Sequence, residues 1–198
     1  MYIIGSKGEC RMAYFWERDG VILRPTHPSD WVYFYENYFE SEARFYFYTE
    51  CEPPTDRADA RARFARFLRT AKKKGRVDFT LTVDGRVVGS VNLYDVDPRA
   101  GTFQIASFVC APERGRGYAR TAMRMMLDYA FFELRLHKYN ARIVSGNAPS
   151  VRLHESLGCV REGVLRSMLY HGGEYRDLEW WGLTADEYKE RFGYEATK

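Results

Sequence analysis

Two glycines set among three arginines, in the run Glu113 to Met123 ("ERGRGYARTAM"), are the residues of this chain best suited to holding an anion. Glycine carries no Cβ, so successive backbone N–H groups can turn toward one point. A helical pattern follows at once, and a helix N-terminus adds unpaired N–H donors and a dipole worth about 0.3–1 kcal/mol per exposed charge. Arg114, Arg116 and Arg120 could add charge-assisted bonds to phosphate. The run lacks the GxxxxGK[ST] of a nucleoside-triphosphate loop and the GxGxxG of a dinucleotide fold. It fits [Q/R]-x-x-G-x-[G/A] through Arg114, Gly117 and Ala119. Taken alone, this spacing leaves three readings open: a phosphate cradle for a cofactor, a charged surface turn, and a basic patch for nucleic acid.

Composition narrows them. The chain has 198 residues, enough for one domain with a sizeable core, and its 45% hydrophobic and 29% charged residues are ordinary for a globular fold. A net charge of +3 makes no demand for nucleic acid or an anionic membrane, and no apolar run is long enough to span a bilayer. The arginines between Asp56 and Arg76 read as a solvated helix face alternating with Asp56 and Asp59, so neither nucleic acid nor membrane is expected as a partner. Cys10, Cys51, Cys110 and Cys159 show neither CxxC pairing nor framework spacing, so no metal is expected and a reducing cytoplasm is the default setting. The 16% aromatic share is concentrated in "WVYFYENYFESEARFYFY", Trp31 to Tyr48.

The elements that would position the glycine run follow from periodicity. "GVILRP" reads as a short strand, and Ser29 or Asp30 is the expected N-cap of an aromatic helix after it. Two prolines break the chain at "ECEPPTD", and Asp56 to Lys74 is helical, with Ala60, Phe64, Phe67, Leu68 and Ala71 on one face. "VDFTLTV" and "RVVGSVNLYDV" form a hairpin across Asp84-Gly85. Thr102 to Val109 is an apolar strand expected to be buried on both faces. After Gly117, Ala119, Ala122, Met123, Met126, Leu127, Ala130, Phe131 and Leu134 step by three and four along one helical face. "KYNARIV" is a strand, "NAPSVRLHESLG" a short helix ending at Gly158, and the rest a long hairpin around His171-Gly172-Gly173 with a helical tail. The order is α+β with a mixed sheet. Residues 1–18 are expected to be an N-terminal extension, with Met12 offering a second start. A single domain then occupies 19–183, and 184–198 is a helical tail.

Around the glycine run, "FQI" at Phe103 to Ile105, the N-x-x-S of Asn147 and Ser150, Leu157-Gly158, Glu162-Gly163 and "GGEYRD" follow in order and spacing. In these features the chain, from about Val21 to Leu183, resembles the GCN5-related N-acetyltransferase (GNAT) superfamily. Its style is that of the spermidine N-acetyltransferases and ribosomal-protein alanine N-acetyltransferases. The resemblance implies the GNAT fold, a mixed central sheet splayed at the cofactor strand and flanked by helices, and acetyl-CoA as cosubstrate. The pyrophosphate would lie on the N–H groups of Arg114, Gly115, Arg116, Gly117, Tyr118 and Ala119. The pantetheine arm would pair with the backbone edge near Phe108 and Val109, and Asn147 and Ser150 would meet its far end.

The implied reaction is aminolysis of a thioester. An amine of pKa near 10 is mostly protonated at pH 7, and freeing it costs about 4–5 kcal/mol. The site also needs a donor for the oxyanion and an acid for the departing thiolate. By resemblance the Val109 amide is the oxyanion donor. Many members carry tyrosine where this chain has His154, seven residues after Asn147, so His154 is the expected acid and Ser150 the alternative. Gln104 lies near a glutamate of the histone-type relatives and cannot accept a proton. Thr102 stands where some polyamine enzymes have a carboxylate, which leaves a water relaying to another carboxylate. Glu36, Glu40 and Glu50, with Glu42 and Glu52, lie among aromatics in the acceptor segment and suit a cationic amine. The expected function is acetyl-CoA-dependent N-acetylation of a small cationic amine such as a polyamine. Alternatives are a peptide N-terminal or aminoglycoside-type acceptor and, in another class, a CoA-binding sensor with weak turnover. A homo-oligomer is compatible with all of these.

Overall fold

A computed structural model of the chain describes residues 2–4, 10–12, 14–37, 45–46, 54–73 and 75–193, with backbone alone for 2–4, 10–12 and 72. Strands β1 (Tyr2–Ile4) and β2 (Cys10–Met12) pair with each other, apart from the main sheet. That sheet comprises β3 (Glu17–Arg18), β4 (Val21–Pro25), β5 (Val77–Val83), β6 (Arg86–Asp97), β7 (Thr102–Val109), β8 (Lys138–Val144), β9 (Val160–His171) and β10 (Glu174–Thr184). Its eight strands run in the order β3-β4-β5-β6-β7-β8-β10-β9, with β7 and β8 parallel and the other neighbours antiparallel. Helices α1 (Trp31–Glu36), α2 (Arg57–Lys73), α3 (Tyr118–Asp128), α4 (Ala148–Leu157) and α5 (Ala185–Phe192) flank it. This is the expected mixed α+β architecture.

Local chemistry accounts for most joints. Asp84 and Gly85 both have positive φ, as the two-residue turn between β5 and β6 requires, and Val83 pairs with Arg86 across it. The apolar face of α3 buries Ala122, Met123, Met126 and Leu127 in the same core cluster as Phe103 and Ile105 of β7 and Tyr139, Ala141 and Ile143 of β8. After Asp128 the helix widens into a π turn over Tyr129–Glu133, which sets Ala130 and Phe131 into the core, Phe131 edge-on to Phe103.

Two sequence expectations are revised. β7 is fully buried only at Phe103, Ile105 and Val109; Gln104, Ala106 and Phe108, on the face away from α3, are half-buried. Asp30 stands at the N-cap of α1, as expected, but gives the helix no side-chain bond. His27 caps a 3-10 turn, Pro28–Asp30, while the Asp30 carboxylate is drawn inward by a two-pronged bond from Arg24 at 2.8 Å and by Thr80 at 2.8 Å. Residues outside 19–183 also pack on the core. Arg18 and Trp16 reach the core from one end, and Tyr188 of α5 is fully buried from the other.

The feature that matters for function is a break in pairing. β7 and β8 are joined only at Thr102↔Lys138, Phe103↔Tyr139 and Gln104↔Asn140, whereas β6 stays paired with β7 as far as Gly89↔Val109. Because Cys110 N–H bonds Val88 on the β6 side, strand alternation turns the backbone groups of Ile105, Ser107 and Val109 toward the gap. Gly89 permits the close pairing at the end of β7, since a Cβ there would run into the Phe108 carbonyl.

Candidate active site

Beyond β7 the chain turns once through Ala111–Glu113 and enters the glycine run. Gly115 (φ +79) and Gly117 (φ +83) are left-handed, and a Cβ on either would meet nothing within 4 Å. Glycine is needed here for backbone direction, and the space in front of it is open. Gly117 is the N-cap of α3 and supplies no side-chain cap, so the first turn of the helix keeps its donors. The Arg114 N–H is taken by the Ala111 carbonyl. Among the described hydrogen bonds none uses the N–H groups from Gly115 to Arg120, which form the cradle.

The arginines have protein partners. Arg114 Nε bonds the Val109 carbonyl at 3.0 Å, with its guanidinium 5.9 Å from the Phe108 ring, tying loop to strand end. Arg116 pairs with Glu113 at 3.3 Å, Arg86 meets the same carboxylate at 3.2 Å, and Arg120 lies 5.9 Å from the Phe192 ring. The cradle is therefore backbone first, with arginines as its rim.

Asn147 and Ser150 sit together at the start of α4. Asn147 is its N-cap, the Oδ1 accepting from Ser150 N–H at 3.1 Å. Ser150 is half-buried. His154, one turn on, points into the core with 7% exposure. Its Nδ1 lies 2.7 Å from the Ser150 carbonyl, an obligate acceptor, so Nδ1 carries the proton and Nε2 accepts from the Tyr139 hydroxyl at 3.0 Å. Ser150 Oγ is 3.4 Å from Nδ1. Both ring nitrogens are thus engaged within the protein, and the sequence reading missed Tyr139 as the partner of Nε2.

Burial holds His154 below the ordinary histidine range, against the opposing pull of the Ser150 carbonyl. The folded state therefore binds this proton less readily than the unfolded chain. The stability contribution is complete above about pH 6.5 and is lost as pH falls from there toward the lowered folded value. Burial also pushes Asp30 up, but the bonds from Arg24, His27 N–H and Thr80 outweigh it and leave its carboxyl low, so its loss comes in a more acidic window. Urea midpoints should be flat between pH 8 and 7 and begin to fall near about pH 6.5, and His154→Gln should remove that first fall while keeping the acid one. An unchanged profile in the variant would show that His154 is not the titrating group.

On the opposite face of the sheet, Gln104 Oε1 accepts from Tyr94 at 3.2 Å and Arg142 at 3.2 Å, and its Nε2 donates to Asp95 at 3.0 Å. Asp95 sits in a bulge of β6 with φ +48, a placement no local pattern announced. Glu36 is exposed at the end of α1, while Glu40 and Glu50 lie outside the described residues. Two aromatic faces expected to receive a cation already hold one: Arg57 lies 5.3 Å from the Trp31 ring and 5.2 Å from that of Tyr35.

Comparison with known proteins matches this geometry to one family. The acetyltransferase (GNAT) domain profile aligns with residues 21–160. The SPbeta prophage-derived uncharacterized N-acetyltransferase YokL of Bacillus subtilis is 38% identical over 110 residues, 56% of this chain and 62% of that protein. Spermidine N(1)-acetyltransferase of Vibrio cholerae is 34% identical over 108 residues, 53% of this chain and 61% of that protein, so the match spans about three fifths of these relatives. In three dimensions, spermidine N-acetyltransferase from Vibrio cholerae in complex with CoA and spermine superposes with a TM-score of 0.75 at 22% identity, over 86% of this chain and 99% of that one. A profile that covers the chain from β4 through the end of α4 places it: this protein belongs to the GNAT acetyltransferase family.

Proposed function

We propose that the protein is an acetyl-CoA-dependent N-acetyltransferase acting on a primary amine, with a small cationic amine such as a polyamine as acceptor. The carrying observation is the β7 edge from Ile105 to Val109, which has no strand partner on the β8 side, although side chains take the Ile105 and Val109 carbonyls, and which leads directly into the N–H groups at the start of α3. The fit is chemical: an anion suits the N–H groups from Gly115 to Ala119, and an amide-bearing arm suits an open strand edge. When bound, acetyl-CoA supplies an activated acyl thioester. Val109 N–H, on the open side of β7, donates to the carbonyl oxygen as it gains charge. Asn147 holds the first turn of α4 so that the hydroxyl of half-buried Ser150 relays a proton from solvent to the departing sulfur, giving up its own as it takes another. Asp95, tied to Gln104, is the carboxylate to which a water passes the proton of the amine.

The spermidine acetyltransferases among its relatives support a polyamine, and Glu36 with the acceptor-segment glutamates fits one; a peptide N-terminus or an aminoglycoside amine are the competing acceptors. A spermidine N-acetyltransferase of similar fold is dodecameric, and we extend homo-oligomer formation to this chain on that ground. One observation favours a CoA-binding sensor instead: the histidine at the usual acid position is sealed in the core. Thiol release from acetyl-CoA across spermidine, spermine, an aminoglycoside and peptide N-termini decides between them. Release with a polyamine supports the proposal, and release only with another amine moves the acceptor. Tight CoA binding with no release from any of them leaves the sensor.

A further inference from the structure

Resting on the acetyl-transfer reading above, we infer that Tyr46 borders the path of the acceptor amine and that His171, at the tip of the β9–β10 hairpin, positions it there through Phe45. The side from which an amine can arrive follows from the sheet. Phe103, Ile105 and Val109 of β7 and Tyr139, Ala141 and Ile143 of β8 share the core cluster of α3, so that face is closed. Gln104, Ala106 and Phe108 are half-buried on the other face, which leaves it as the approach to a thioester at Val109 N–H. Counted residue for residue from Gln104↔Asn140, Phe108 is level with Val144 across the gap, and Val109 with Ser145. Phe45, 3% exposed, forms one buried cluster with Val144 and with Leu178, which pairs with Val144. By alternation Val144 shares the face of Asn140 and Gln104. Phe45 therefore lies on the approach side, on the β8 bank of the gap, at the level of Val109.

Tyr46 comes next, half-buried, its ring 5.7 Å from that of Phe45 and tilted by 50°. Its hydroxyl lies 3.5 Å from where a Cβ on Gly146 would stand, and Asn147 and Ser150 begin α4 directly after that glycine. Tyr46 and the Ser150 relay thus stand at one end of the gap. Arg176 Nη1 is 3.9 Å from the same point, with its charge met by Glu174. A half-open tyrosine ring offers an ammonium group an aromatic face and its methylenes an apolar one. What fixes the ring is the hairpin. The His171 imidazole lies flat over Phe45, 3.7 Å between centroids at 14°, and Leu169 packs against the same cluster. Pairings His171↔Glu174 and Leu169↔Arg176 put both side chains on the face of Leu178, so the hairpin covers Phe45 from one side. Within the run from Glu40 to Glu50 read as suiting a cationic amine, Phe45 and Tyr46 are the described residues, and a distant strand holds them.

His171 is half-buried at a turn, so His171→Ala is expected to fold, and two readouts on the full chain test its role. Hydrogen–deuterium exchange of the peptide holding residues 45–46 should quicken by about two- to tenfold, the worth of a stacked ring pair. With spermidine, or failing that the amine of the panel that does release thiol, the KM for amine should rise by a similar factor, while the calorimetric dissociation constant for acetyl-CoA stays within about twofold. His171→Phe, which restores a flat ring, should return both readouts to near the wild type. Tyr46→Ala should raise the amine KM by about two- to fivefold, as an exposed cation–π contact would. Tyr175→Ala, on the opposite face of the same hairpin, should change neither. Unchanged exchange in His171→Ala overturns the fastening, and quickened exchange with an unmoved amine KM overturns its role for the amine. Amine and acetyl-CoA binding that weaken together, or a Tyr175→Ala that matches His171→Ala, would show a general loosening and overturn it too. A wild type that binds acetyl-CoA but releases thiol with no amine sinks the acetyl-transfer reading itself. Normal wild-type turnover with an indifferent His171→Ala sinks the positioning role alone.

Discussion

Gly117→Val is expected to raise the KM for acetyl-CoA about a hundredfold while leaving the protein folded, because it removes donors to a charged ligand that are each worth about 1.5–3 kcal/mol. Gly117 is held at φ +83, where a β-branched side chain strains the backbone, yet nothing stands within 4 Å of the added Cβ. The loop can escape the strain only by turning its peptides out of the left-handed form, and those peptides carry the N–H groups aimed at the cradle. The cost to folding is bounded by the strain itself, about 1–2 kcal/mol, or a fall of about 2–8 °C in melting temperature for a chain of this size. Gly115→Val, at φ +79, should behave alike. Gly172→Asn, in the β9–β10 turn at φ +61, tests whether any left-handed glycine matters: it should leave KM unchanged, since asparagine tolerates that conformation. A Gly117→Val protein with normal KM would show that the anion is held elsewhere.

What the sequence announced here and what it withheld differ in range. The Asp84-Gly85 turn, the apolar stripe of α3 and the glycines before it are local facts, written in neighbouring residues, and they appear where expected. The splay of β7 from β8 is a missing interaction, and no residue type encodes an absence of pairing; it entered through family resemblance alone. Asp30 shows how tertiary chemistry overrides a local rule: an aspartate before a helix reads as a cap until Arg24 and Thr80, from two strands, claim both oxygens. His154 was legible as a position but not as an environment. Its partner lies on another strand, and their bond seals a group that the sequence would have left facing the ligand. Asp95 became visible only because a bulge with positive φ lifts it beside Gln104.

The largest loss of stability should come from a residue outside the site, Asp128. It lies with 2% exposure where α3 passes into the π turn, so its buried charge depends on its partners. Arg18 donates to one oxygen at 2.7 Å and the Tyr188 hydroxyl to the other at 2.7 Å. Asp128→Ala strands the Arg18 guanidinium, whose Nη1 is already buried without a hydrogen-bond partner, and leaves Tyr188 only the Arg124 carbonyl at 3.4 Å. Breaking a buried pair from one side costs about 3–5 kcal/mol, which for this length lowers the melting temperature by about 6–20 °C. Tyr188→Phe, which spares the ion pair, should cost about 1 kcal/mol. The double change Arg18→Met with Asp128→Leu should be less harmful than Asp128→Ala alone, since it removes both charges. Denaturant midpoints check all three, and a loss below about 1 kcal/mol for Asp128→Ala would overturn the assignment. Because Asp128 fastens β3 and α5 to one end of α3 while the cradle opens at the other, the molecules that remain folded should keep their KM for acetyl-CoA. Stability and cofactor binding would then separate along a single helix.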